Sequence, residues 1–139
     1  AANLAGDDLA VLTLGTTTPP AEEPSPLPHL AAMFGTPDGV ETTLHEGTTL
    51  AGLAALRSAL RALDGDAHGL VLASDAPQGE PTEALGQGAG AGAAAFVVGP
   101  DPSATPGDWA SHQEPAAGTR FRRHGAAETE SLGVTPFDR

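Results

Sequence analysis

The feature that most constrains this chain is one apolar helix pattern set between short apolar runs. Leu50, Leu53, Leu56, Leu60 and Leu63 recur at spacings of three and four, which places them on one stripe of an α-helix. Ala51, Ala54, Ala55 and Ala59 fill most of the other positions. The stripe is therefore wide, and the pattern predicts a helix over 50–63 that packs closely on several sides and is well buried. Thr48 or Thr49 stands where an N-cap accepts backbone N–H bonds, and Asp64-Gly65-Asp66 stops the helix. Arg57 and Arg61 lie on another face, one turn apart.

The flanking runs read as buried strands. Leu9, Val11, Leu12 and Leu14 precede the turn residues Gly15-Thr16-Thr17-Thr18-Pro19-Pro20, and Gly69 to Asp75 forms a second such run. Residues 19–28 carry five prolines and read as loop. His29 to Phe34 suits a short helix stopped by Gly35 and Pro37, and Val40 to Leu44 suits a strand. Pro77 to Glu83 is a polar loop leading into the glycine run 86–92, itself read as loop, and Ala93 to Val98 is strand-like. Residues 99–119 are rich in Pro and Gly, Thr119 to Arg123 suits a strand, and Ser131 to Arg139 is ambiguous. Apolar strands around a helix give the α/β class, a layered fold with a mixed sheet. The chain's 139 residues suffice for one domain.

Composition excludes whole classes of chemistry. There is no cysteine, hence no disulfide framework, thiolate metal site or cysteine nucleophile. A net charge of −12 repels phosphate backbones and anionic membranes, so neither nucleic acid nor membrane is an expected partner. No run of about 18 apolar residues is present, and no secretory signal is visible, so the expected location is the cytoplasm. Acidic residues with Arg and no Lys suit a GC-rich genome or a salt-rich cytoplasm in which carboxylate repulsion is screened.

Several local patterns compete for function. The glycine run 86–92 superficially matches a dinucleotide fingerprint, but that motif needs a strand before it and a helix after it. Close backbone packing is the plainer reading. His45-Glu46 lacks a second His at helical spacing, and the five His show no metal-ligand spacing. Asp75, at the end of a strand, suits either catalysis or a turn cap, and the cap is favoured. Arg120, Arg122 and Arg123 form a basic cluster suited to gripping a phosphate, or to pairing with local carboxylates.

Four motifs in order carry a resemblance. They are Thr16-Thr17-Thr18-Pro19-Pro20; Gly47-Thr48-Thr49-Leu50-Ala51-Gly52-Leu53-Ala54-Ala55-Leu56; Leu70-Val71-Leu72-Ala73-Ser74-Asp75; and Gly86-Gln87-Gly88-Ala89-Gly90-Ala91-Gly92-Ala93-Ala94-Ala95. Together they resemble the thiolase superfamily, and within it the hydroxymethylglutaryl-CoA synthase and ketoacyl-ACP synthase III types. The resemblance covers residues 8–99 and continues loosely through Phe121-Arg122-Arg123-His124-Gly125. It implies a thiolase-like layered half-domain, with a mixed β-sheet packed on a buried helix at residues 50–63. Residues 1–99 would form part of the N-terminal half, and 100–139 a loop-rich extension toward a second half. The chain then reads as a fragment of something longer.

The same resemblance implies acyl transfer from a coenzyme A thioester, with acyl-CoA or an acyl carrier protein as partner, no bound cofactor or metal, and a homo- or hetero-oligomer. The family's nucleophilic Cys, held at the N-terminus of the buried helix, falls on Thr49. A threonine hydroxyl ionises far less readily than a thiol. Gln87 stands where the family often has Asp. Gly88, Gly90, Arg120 and Arg123 become the substrate-binding candidates. Three readings stand: an acyl-CoA condensing domain of hydroxymethylglutaryl-CoA synthase type without its cysteine, a non-catalytic acyl-CoA-binding or scaffolding subunit, or a small acidic interaction domain.

Overall fold

A computed structural model describes residues 4–82, 84–112 and 120–131. The chain divides into two compact units, Ala1–Asp75 with Gly92–Ala104 and Ala76–Ala91 with Thr105–Arg139. The first unit holds β1 (Leu9–Gly15), α1 (Leu27–Phe34), β2 (Glu41–His45), α2 (Ala51–Ala62), β3 (His68–Asp75) and β4 (Gly92–Val98). The second holds a one-turn helix, α3 (Ala84–Gly88), and a small ladder of β5 (Arg120–Phe121) with β6 (Glu130–Ser131). Among the described residues no helix is long and apolar enough to cross a membrane.

The four strands of the first unit form one mixed sheet in the order β2-β1-β3-β4. β2, β1 and β3 are parallel, with Leu14 opposite Leu44 on one side and Leu72 on the other. β4 returns antiparallel to β3, pairing Asp75 with Gly92 and Gly69 with Val98. The central strand β1 is covered on both faces, which is why it reads as a nearly continuous apolar run. On one face Val11 and Val71 meet Ala55 and Ala59 of α2. On the other, Leu12 and Leu14 meet Leu27 of α1. α1 ends at Gly35, whose left-handed φ of 66° allows its N–H to reach the Ala31 and Ala32 carbonyls.

Helix α2 corrects one expectation. Only part of the predicted leucine stripe packs against the core. The buried positions are Ala51, Ala55 and Ala59, and small side chains there let the helix backbone come close to β1. A Cβ on Gly15 would overlap the Ala51 carbonyl, and one on Gly52 would stand 3.0 Å from the Ala73 Cβ. The Thr13 hydroxyl, fully buried on β1, donates to the Ala55 carbonyl at 3.1 Å. Turning the alanines inward turns part of the leucine stripe outward. Leu56 and Leu63 are partly buried against the core, while Leu50 and Leu53 are 60% and 56% exposed. The helix is thus buried on one face, not on several.

β4 is apolar in sequence yet exposed nearly throughout, with Phe96 and Val97 both about half open. Single exposed apolar residues are ordinary, but a run of them on an edge strand marks surface suited to a partner.

Candidate functional site

Parallel strands β2, β1 and β3 end together at His45, Gly15 and Asp75. Ligands of open α/β sheets gather at this carboxyl edge, because the connecting loops and helix N-termini converge there. The segment after β1 stays in register for one more residue, since the Thr16 N–H donates to the His45 carbonyl at 3.0 Å.

Asp75 then fastens the following turn. Its Oδ1 accepts the hydroxyls of Thr16, Thr17 and Thr18 at 3.1, 2.9 and 3.3 Å, together with the Thr17 backbone N–H. The Thr18 N–H closes the turn on the Thr16 hydroxyl at 3.0 Å. Burial works against the charge and is the largest single effect on this carboxyl, but the threonine hydrogen bonds together outweigh it. The Asp75 pKa is accordingly lowered, and the group stays ionised. This is the turn-capping role favoured for Asp75 over catalysis. A carboxylate already satisfied by four donors is a poor base.

The N-terminus of α2 arrives at the same edge, against Gly15. The Thr48 hydroxyl accepts the Leu50 N–H at 3.2 Å, and its carbonyl accepts the Ala51 N–H at 3.0 Å. The helix N-cap itself is Leu50, without a side-chain bond. Thr49 lies one residue before it and is exposed. Among the described residues no hydrogen bond joins its hydroxyl to a base. Thr48, rather than Thr49, is the threonine that accepts a backbone N–H.

The other candidates lie in the second unit. Part of the glycine run folds as α3, ending at Gly88, whereas a loop was expected. The helix forms because Ala84 to Gln87 can close a turn over the loop before it, where Gly86 sits against the Glu80 backbone. A Cβ on Gly88, Gly90 or Gly92 would meet nothing within 4 Å, so close packing requires glycine at 86 and not at the other three. Arg120 opens β5, and its side chain lies outside the described residues. Arg123 is paired with Glu130 through Nε at 2.8 Å and a second nitrogen at 3.3 Å, and its guanidinium lies 5.6 Å from the centre of the Phe121 ring. That is the local carboxylate pairing, made at the surface through two of the three guanidinium nitrogens.

Sequence reasoning passed over one arrangement. Arg57 and Arg61 of α2 line a groove with His45 of β2. Their i, i+4 spacing was visible, but the strand facing them was not. Among the described residues no group of three His, Asp or Glu converges as a metal site would.

No protein-family model matches the chain, and no curated protein matches it. Solved structures do. MvaS in complex with 3-hydroxy-3-methylglutaryl coenzyme A superposes with a TM-score of 0.79 at 19% identity, over 94% of this chain and 33% of that one. An HMG-CoA synthase complexed with CoA gives 0.73 at 18% identity, over 94% of this chain and 35% of that one. OleA from Xanthomonas campestris gives 0.51 at 21% identity, over 68% of this chain and 34% of that one. The chain spans about a third of the length of these structures. Four strands in a mixed sheet, with helices on both faces, superpose on the fold of these structures. The chain therefore has the fold of a partial thiolase-like half-domain.

Proposed function

We propose that this chain is a thiolase-like domain of hydroxymethylglutaryl-CoA synthase type that binds an acyl-CoA thioester without forming an acyl-enzyme. The observation that carries this reading is the carboxyl edge of the sheet. There the turn 16–18, clamped by Asp75, and the start of α2 stand together where the fold gathers ligands. The condensing neighbours described with 3-hydroxy-3-methylglutaryl coenzyme A and CoA support the ligand class. Thr49 replaces the expected cysteine and has no base bonded to it among the described residues. A hydroxyl in that setting does not ionise near neutral pH, so acyl transfer to it lacks a nucleophile.

The open leucines of α2 and the exposed strand β4 favour a partner that completes the fold, either a second thiolase-like half or another copy. Residues 1–99 would then act as the partial half-domain, and 100–139 as the extension toward that partner.

Acetyl-CoA binding by calorimetry, followed by intact-mass measurement, tests the reading. Saturable binding with no gain in mass is expected. One acetyl group added at Thr49 would restore the condensing reading. Absence of binding, with or without a partner, would leave a scaffolding role and refute the proposal.

A further inference from the structure

We propose that the groove between β2 and the outer side of α2 is a binding site for a small phosphate-class oxyanion, lined by residues other than the turn 16–18 and the start of α2 that carry the site above. The groove has a volume of about 480 Å³, within the roughly 300–1,000 Å³ of small-molecule sites. Glu41 and His45 line it from the strand, and Arg57, Ser58 and Arg61 line it from the helix, with two alanines beside them.

The placement follows from elementary geometry. Glu41 and His45 are four apart on a strand, so they share a face. Arg57 and Arg61 are four apart on a helix, so they stack one turn above the other. β2 is followed at once by α2, which runs back along the sheet. His45 therefore lies toward the Ala54 end of the groove, and Glu41 toward the Ala62 end.

Two observations point to an anion. First, His45 Nε2 is buried and has no hydrogen-bond partner among the described residues. A buried polar atom left unpaired is costly, and a rotation of the His45 ring toward the groove it lines would bring Nε2 to an oxyanion and remove that cost. Second, the chain carries a net charge of −12 and six arginines, yet two of the six face this groove against one carboxylate. Local charge is inverted relative to the molecule. Guanidinium forks match phosphate oxygens two at a time, and the Ser58 hydroxyl adds a donor. Arg61 is exposed at the rim and can swing onto a ligand.

The test is a titration of the whole chain with inorganic phosphate at low ionic strength, read by imidazole NMR. His45→Gln assigns the His45 signal. A saturable shift of that signal is expected, with at least about fivefold weaker binding in Arg61→Gln, because one charge-assisted pair is lost. Arg122→Gln, in the other unit, should bind as the parent does. Calorimetry on His45→Gln should show weakened phosphate binding as well. A His45 signal that does not move, equal losses in the two arginine variants, or acetate binding as tightly as phosphate would each overturn the proposal.

Discussion

Replacing Asp75 tests the clamp at the carboxyl edge. Oδ1 receives three hydroxyls and one backbone N–H from a turn 57 to 59 residues away. Hydrogen bonds to a charged group contribute about 1.5–3 kcal/mol each when taken singly. These four share one oxygen on a half-buried group, so they do not add, and solvent screens them. The expected cost of Asp75→Ala at neutral pH is therefore about 2–3 kcal/mol, partly because the buried Thr16 hydroxyl, which still accepts from the Thr18 N–H, loses the acceptor for its own proton. Asp75→Asn keeps a carbonyl acceptor but not the charge, and should cost roughly half as much.

The pH dependence gives the sharper signature. The folded carboxyl titrates below its ordinary value of 3.8. Between the folded and unfolded values the unfolded chain binds more protons, so stability rises with pH there. The carboxylate's contribution is complete above 3.8 and is lost as the pH falls through the folded value. Urea unfolding midpoints of the parent and Asp75→Asn, measured from neutral pH downward, should converge at the acid end. A gap that stays constant across the series, or an Asn variant as stable as the parent at neutral pH, would refute the clamp. Thr16→Val in the Asp75→Asn background should cost less than it does in the parent, because the two groups share one bond.

Other substitutions probe the packing. Gly15→Ala sets a Cβ on the Ala51 carbonyl, a backbone clash that no rotamer relieves, and should cost at least about 2 kcal/mol in urea unfolding. Gly88→Ala meets nothing within 4 Å and should lie within about 0.5 kcal/mol of the parent. Thr13→Val removes the hydroxyl bond to Ala55 inside the core and should cost about 1 kcal/mol. Leu53→Glu, at a position 56% exposed, should leave the unfolding midpoint nearly unchanged while reducing self-association in sedimentation.

Much of the fold was legible locally. β1, β2, β3 and β4 were each readable within about a residue, β1 and β3 because buried strands show as short apolar runs, and β2 and the exposed β4 because their short runs are bounded by turn residues. α2 was readable from its 3.6-residue period, and α1 from the stop at Gly35. Which face of α2 turns inward was not readable. Both the alanine and the leucine stripes are apolar, and periodicity cannot rank them. The glycine run misled for a related reason, since five residues of helix carry too little pattern to register.

The sequence by itself determined the element order, the mixed α/β class, the absence of any thiolate chemistry and the ordered motifs of a thiolase-like half. Only the tertiary structure decided that Gly15 draws the alanine face of α2 onto β1, leaving Leu50 and Leu53 in the open. It alone gathered Thr16, Thr17 and Thr18 onto Asp75, and set His45 opposite Arg57 and Arg61. The division has a physical cause. Periodicity and turn chemistry act over a few neighbouring residues, whereas these contacts join residues a dozen or more positions apart or rank faces of equal hydrophobicity. Backbone approach distance settles both, and no single stretch of sequence encodes it.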